Sequence, residues 1–241
     1  VSHLRLLTAR GTAAACLVGL LTYAATGCAG LLVLFAFFLP SSLVSRASRP
    51  PDAGLDPKGE TRDASQVFAN GLAPAAGAAI AAICHQPGAA FLMLAGGLAA
   101  AAADTWATAI GSQSRQPPRS IATFRPVPRG ANGGVTAAGT VGAALGALVV
   151  GLAGAARDGS RIMLAAVIIG LAGMLLDSLL GATLQGRYHC DQCRLPSEQR
   201  IHRCGTRTRH AGGVAWLTND GVNAMATLAG TAAGALWWAL A

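Results

Sequence analysis

Residues 89–111 read AAFLMLAGGLAAAAADTWATAIG, an unbroken small and apolar run whose only charge is Asp104. As a helix this stretch is about 35 Å long at 1.5 Å per residue, enough to cross a hydrocarbon layer of about 30 Å. Runs of the same kind recur along the chain, and together they set the fold class. The 241 residues are 53% hydrophobic, 12% charged and 5% aromatic, with a mean hydropathy of +0.48. An average soluble domain is about a quarter charged. Such a composition excludes a disordered chain, a coiled coil and a disulfide-rich mini-protein. It predicts an all-α, polytopic helical membrane protein of one domain, 1–241. About seven spans fall near 11–26, 28–44, 63–84, 89–111, 133–155, 162–185 and 214–240. The first two, separated only by Thr26-Gly27-Cys28-Ala29-Gly30, read as a helical hairpin. A signal peptide, with Arg5 and Arg10 ahead of an apolar run, is the alternative, and the second apolar run that follows at once weighs against it.

The basic residues orient the chain. With the N-terminus in the cytoplasm, sixteen of the 18 Lys and Arg residues fall in cytoplasmic segments, and only Arg157 and Arg161 fall outside. This is the positive-inside pattern, and it places the working face in the cytoplasm. Lys58 is the only lysine and lies in a polar loop. A Walker-type phosphate loop is therefore excluded, and no nucleic-acid partner is expected. The arginines suit planar, bidentate recognition of phosphate or carboxylate. Glycines at small-xxx-small spacing, such as Gly142, Gly146, Gly151 and Gly154, read as close helix packing.

Three aspartates, Asp104, Asp177 and Asp220, fall inside expected spans. A carboxylate in hydrocarbon costs several kcal/mol, so each is a functional candidate. By the expected boundaries all three sit about 9–12 Å in from the cytoplasmic edge. Each has polar neighbours: Thr105 and Thr108; Ser178, Thr183 and Gln185; Asn219 and Asn223. Asp63 and Asn70 extend the set into the third span. Acids held together repel unless a cation lies among them, and oxygen ligands of this kind suit Mg²⁺ shared with phosphate. Two other readings stay open: acids paired with arginines or capping helices, and an ion or proton path. Asp104-Thr-Trp-Ala-Thr and Asp177-Ser-Leu-Leu-Gly echo one another weakly, as an internal duplication would. In the preceding loop Arg119, Arg125 and Arg129 converge on Asn132-Gly133-Gly134 and Thr136, where free amides at a helix start favour an anion. The alternative there is an ordinary basic loop with a helix cap.

The loop at 187–213 carries His189-Cys190-x2-Cys193-x8-His202-x-Cys204 and then Arg207-Thr-Arg209-His210. Placed in the cytoplasm, it is an unfavourable setting for a stable disulfide. Cys190, Cys193 and Cys204 with His202 have the types and count for structural Zn²⁺; His189 and His210 are alternative fourth ligands, and unmetallated thiols the alternative state. Cys16, Cys28 and Cys84 read as small buried apolar residues.

Taken together, Ala103–Gly111, Val127–Thr136, Asp177–Gln185 and Asn219–Asn223 resemble the integral-membrane family that contains plant phytyl-phosphate kinase and transmembrane protein 19. Leu7–Gly11 and Arg62–Gly71 are similar to its pattern, and the Cys/His loop resembles its bacterial branch, which implies a bacterial inner membrane. The resemblance covers most of the chain, and the order of several motifs is its specific part. It implies a kinase that converts an isoprenyl monophosphate to the diphosphate with a nucleoside triphosphate, CTP in the plant case. On that reading Asp104, Asp177 and Asp220 are the catalytic, Mg²⁺-holding acids, with Asn70, Asn219 and Asn223 orienting them. Arg119, Arg125, Arg129, Arg207 and Arg209, with the Asn132–Gly134 amides, grip phosphate. The family motif carries Glu where this chain has Ala109, and the activity of this form is weakened if that Glu is a ligand or base. The rivals are a lipid-phosphate transporter or flippase, which should carry polar groups near the midplane, and a cytidylyltransferase that releases pyrophosphate.

Overall fold

A computed structural model describes residues 6–49 and 61–240, so Arg5 and Lys58 lie outside the described residues. Six helices make up the body: α1 (Ala9–Arg46), α2 (Ala64–Ile83), α3 (Pro87–Gly111), α4 (Ala137–Asp158), α5 (Ser160–Thr183) and α6 (Asn219–Leu240). Between α3 and α4 lie the short strands β1 (Arg119–Ser120) and β2 (Gly134–Val135), paired antiparallel. Between α5 and α6 lie β3 (Arg187–Cys190), β4 (Leu195–Ser197) and β5 (Arg209–Gly212), in the antiparallel order β4-β3-β5. The helices α1 to α5 are long and apolar enough to cross a membrane.

The first helix is not straight. Gly27 inside it has φ 66° and ψ −157°, a backbone that only glycine adopts cheaply. Arg62 shows what that residue does. Its carbonyl accepts from the Thr8 N–H at 3.1 Å, and its guanidinium lies 5.4 Å and 5.8 Å from the rings of Phe37 and Phe38. A straight helix would put residues 9 and 37 about 42 Å apart. Hence α1 doubles back at Gly27, and the expected hairpin is present as two limbs of one element. Gly159, with φ 72° and ψ −160°, makes the same one-residue reversal between α4 and α5.

All the other helices pack on α3. Every residue from Leu94 to Ala103 is buried, which is why the sequence there is small and apolar on all faces. Neighbours approach it at glycine. A Cβ on Gly146 of α4 would lie 2.8 Å from the Ala102 carbonyl oxygen. On Gly170 of α5 it would lie 2.5 Å from the Ala147 Cβ and 3.0 Å from the Ala99 oxygen, and on Gly230 of α6 it would lie 2.8 Å from the Gly96 oxygen. Helix faces turned away from the bundle are apolar, with Leu20, Leu43, Ile80, Leu152, Leu164 and Leu236 exposed, as lipid contact requires. Cys16, Cys28 and Cys84 lie on such exposed faces, contrary to the expectation that they are buried. The seventh expected span also starts late. Residues 214–218 form a turn that seats Leu217 in the core and leaves Trp216 72% exposed, and α6 begins at Asn219.

Gly170→Leu should lower the thermal midpoint of the detergent-solubilised chain by several degrees, since overpacking costs about 1–3 kcal/mol. Gly19→Leu should leave it unchanged, because nothing lies within 4 Å of a Cβ there. Equal midpoints for the two variants would contradict the packing described.

Candidate functional site

The antiparallel course of the chain brings the C-terminal ends of α1, α3 and α5 together with the N-terminal ends of α2, α4 and α6. They enclose a cavity of about 570 Å³ at one end of the bundle. Asp104 from α3, Asp177 from α5 and Asp220 from α6 all line it, and each is half-buried. Asp104 stands seven residues before the end of α3 and Asp177 six before the end of α5. Asp220, by contrast, is the second residue of α6, so it lies in the first turn and not a third of the way in as expected. There a carboxylate is favoured by the positive end of the helix dipole. The Ser65 hydroxyl donates to its Oδ2.

Asn70, Thr105, Thr108, Arg129, Asn132, Gly133, Gly134, Thr136, Ser178, Gln185, Asn219 and Asn223 are in the same wall. Thr136 caps α4, its hydroxyl accepting from the Gly139 N–H at 2.9 Å. The Asn70 amide donates to the Gln66 carbonyl at 2.8 Å, and the Thr105 hydroxyl to that of Ala101 at 2.9 Å. Gly133 shows how tightly the loop is seated. With φ +70° its Cβ would lie 2.5 Å from the Ser178 carbonyl oxygen and 2.4 Å from the Ala182 Cβ. This position thus needs glycine for conformation and for room, one residue from where Asp177 leaves α5.

Five expected binding residues are elsewhere. Asp63 caps α2 in a capping box with Gln66, accepting from its N–H at 3.0 Å. Arg119 donates to the Phe124 carbonyl at 3.0 Å, and the Arg125 carbonyl accepts from the Ser120 N–H at 2.9 Å, so both serve the turn after β1. Arg209 pairs with Asp191 at 3.4 Å, both well exposed, and Arg207 bridges Ile201 within the insertion. The cavity takes its positive charge from other arginines. Arg46 and Arg49 come from the end of α1 and Arg62 from the start of α2, alongside Arg129. Arg129 donates to the Ser114 carbonyl at 3.0 Å and to that of Ser112, closing the end of α3. Burial lowers the Arg62 guanidinium to about 10, still protonated at neutral pH. Glu198, at the end of β4, also reaches the wall, its Oε2 accepting from the Gln185 amide at 3.4 Å. Arg46 and Arg49 show in the sequence only as positive-inside charge, Arg62 also as the first residue of the Arg62–Gly71 motif, and Glu198 carries no signal.

Ala109 is 2% exposed and does not line the cavity. The residues of α3 that do are Asp104, Thr105, Ala107, Thr108 and Gly111. Position 109 stands about 140° round from Asp104 and about 40° from Thr105, at the border of this face.

The donors available to a cation in the cavity are all oxygen atoms, which fit Mg²⁺. The three aspartates do not converge as tightly as ligands of one ion. Among the described residues only Cys190, Cys193, His202 and Cys204 do, with their ligand atoms within 4.8 Å of one another. His189 sits on β3 outside this quartet, and His210 packs edge-on against Tyr188 at 5.6 Å. Hydrogen bonds from Thr206 and then His202 hold the Cys204 thiol down to about 5. The Cys193 thiol, hydrogen-bonded to Cys204 and then penalised by burial, is pushed up to about 11.

Gly133→Ala should destabilise the chain by about 2–5 kcal/mol, the sum of a left-handed alanine and a backbone clash. A fall in the thermal midpoint checks it; an unchanged midpoint would mean that the loop does not press on α5.

No solved structure matches the chain. A membrane protein of Methanocaldococcus jannaschii described as uncharacterized is 35% identical over 156 residues, which cover 64% of this chain and 65% of that one. Protein PGR of Arabidopsis thaliana is 36% identical over 138 residues, covering 52% of this chain and 46% of its own length. The match thus spans less than two thirds of either relative. An uncharacterized membrane protein of Synechocystis is 28% identical over 238 residues, covering 95% of this chain and 81% of that protein. The model of the family described as integral membrane protein DUF92 matches residues 2–231. Since that match takes in nearly the whole sequence, the chain belongs to this family of integral membrane proteins.

Proposed function

We propose that this chain is a kinase that transfers the γ-phosphoryl group of a nucleoside triphosphate, CTP first among them, to an isoprenyl or phytyl monophosphate. The observation that carries the reading is the facing of Asp104, Asp177 and Asp220 against Arg46, Arg49, Arg62 and Arg129 in one cavity at one end of an apolar bundle. Phosphoryl transfer needs positioning and charge neutralisation more than covalent help from the protein. The arginines and the amides at the start of α4 suit the phosphates of donor and acceptor. Asp104, Asp177 and Asp220, with Asn70, Asn219 and Asn223, would hold Mg²⁺, which would supply neutralisation of charge at the donor phosphates. An oxygen of the acceptor phosphate attacks the γ-phosphorus. The bond from that phosphorus to the β-bridging oxygen breaks, and the nucleoside diphosphate leaves with the electron pair. The attacking oxygen is already anionic, so no general base is required. The prenyl tail would lie against the apolar helix faces, and the positive-inside pattern supports a cavity on the cytoplasmic side of the membrane, a bacterial inner membrane on this reading. A carrier would need polar groups accessible from both sides, whereas this cavity opens at one end.

Purified chain with Mg²⁺, CTP or ATP, and geranylgeranyl or phytyl monophosphate should yield the lipid diphosphate and nucleoside diphosphate by mass spectrometry. Pyrophosphate with a CDP-lipid would replace this reading with a cytidylyltransferase. Absence of product together with absence of Mg²⁺-dependent nucleotide binding would favour the lipid-phosphate transporter.

Asp104→Asn should cut transfer by about 10²-fold or more, the scale of losing one preorganised charge-stabilising group, while leaving the thermal midpoint in place. Full activity in that variant would remove Asp104 from the mechanism. Since Ala109 is not in the cavity wall, the unsubstituted chain should itself be active. Product from the Ala109→Glu form alone would show instead that position 109 takes part.

A further inference from the structure

The insertion between α5 and α6 has an architecture of its own. Two tight turns project from the β4-β3-β5 sheet. The first carries Cys190 and Cys193 and passes through Arg194 at φ 55°; the second carries His202 and Cys204 and passes through Gly205 at φ 82°. In each turn the left-handed residue directly follows the second of the two ligand-type side chains. A left-handed non-glycine residue costs about 1–2 kcal/mol, so Arg194 is held there by its surroundings. The second turn is closed by the Gly205 N–H donating to the His202 carbonyl at 2.8 Å and the His202 N–H donating to that of Thr206 at 2.9 Å. Two separate turns thereby bring three sulfurs and one imidazole together. Cys190 and Cys204 sulfurs are 3.6 Å apart, and His202 Nδ1 is 3.1 Å from the Cys204 sulfur. Thiolates on one tetrahedral zinc with Zn–S bonds of about 2.3 Å lie about 3.8 Å from each other.

We propose that Cys190, Cys193, His202 and Cys204 bind a structural Zn²⁺ that clamps the insertion and seats Glu198 in the cavity wall. Four protein ligands leave no open coordination position, so the metal is not itself catalytic. Its reach into the cavity runs through the chain that follows β4. Glu198 succeeds Ser197 directly and meets Gln185. Two residues later the Arg200 guanidinium donates to the Ala215 carbonyl at 3.1 Å, and the Gly186 N–H donates to that of Leu217 at 2.9 Å. The clamped module is thus fastened to the end of α5 and to the entry of α6, the two helices that carry Asp177 and Asp220.

The test uses full-length chain in detergent. Metal analysis should find about one zinc per chain, lost in the double variant Cys190→Ser, Cys204→Ser and retained when Cys16, Cys28 and Cys84 are all replaced by Ser. Peptide-mapped alkylation should be slow at Cys190, Cys193 and Cys204 until a strong chelator strips the metal, and should then quicken at all three, with no change at Cys16, Cys28 and Cys84. Negligible zinc, with alkylation of Cys193 and Cys204 unaltered by the chelator, would overturn the clamp. For the seating, Glu198→Cys places a probe at position 198, whose alkylation should quicken several-fold when zinc is removed. An unchanged rate there would detach the metal from the cavity. Neither readout involves nucleotide or product, so failure of the kinase reading and failure of the clamp are separate results.

Discussion

Backbone-to-backbone approach around α3 is the constraint on which the fold depends. In lipid, helices gain little from burying apolar side chains against one another, because the tails are equally apolar. Cohesion then comes from contact area and short interhelical distances. From Leu94 to Ala103 most side chains of α3 are methyl groups or hydrogen, and Gly146, Gly170 and Gly230 meet it from three sides at its carbonyls. The polar links across helices are few and well placed. Thr227 of α6 donates to the Ala69 carbonyl of α2 at 2.8 Å, and the Trp106 indole of α3 donates to Ser41 of α1 at 3.1 Å. A centre this narrow leaves no volume for a polar site at mid-height, and the cavity accordingly opens where the helices end.

The position of the cavity then determines its electrostatics. Three helix N-termini and three C-termini surround it, so amides and carbonyls alternate around the rim. Asp220 stands at an N-terminus, where the dipole favours it. Asp104 and Asp177 stand about two turns from C-termini, too far in for the dipole of their own helix to help or harm. Arginines from the end of α1, the start of α2 and the loop before α4 line the same cavity and bring it positive charge. Acids and arginines are therefore a matched set, and anionic ligands with a cation could enter it without changing its net balance.

What sequence reading could resolve follows the range of the interactions involved. The α1 hairpin was legible because one local backbone requirement, Gly27 between two apolar runs, decides it. The three cysteines of the quartet were legible for the same reason, while spacing left the fourth place open among His202, His189 and His210, and only the fold of the second turn brings His202 to the sulfurs. The three aspartates were legible because a charge in an apolar run is costly wherever it lies. Arg119 and Arg125 lie outside the cavity wall because the turn after β1 takes the Arg119 guanidinium to the Phe124 carbonyl and the Arg125 carbonyl to the Ser120 N–H, a tertiary matter. Asp63 was misread because capping a helix and binding a ligand draw on the same residue type. Arg46, Arg49, Arg62 and Glu198 come to the cavity from segments far apart in sequence, and no local pattern announces such convergence. The stretch from Val214 to Leu217 looks like the start of a span, yet its apolarity serves to seat Leu217 beneath the insertion.

Position 109 shows why a motif and a wall have to be distinguished. The cavity face of α3 runs from Asp104 and Thr105 through Ala107 and Thr108 to Gly111. Ala109, one turn on from Thr105, borders that face, but its side chain is covered by protein and is not in the wall. A carboxylate introduced at this position would be largely buried and would need a partner of its own. The cavity meanwhile receives a carboxylate from an unrelated element, Glu198. Where the acceptor is already a phosphate oxyanion, a base has nothing to remove. On the proposed reading, carboxylates count by number and placement in the cavity, and Glu198 brings a fourth to the wall from an element unrelated to α3.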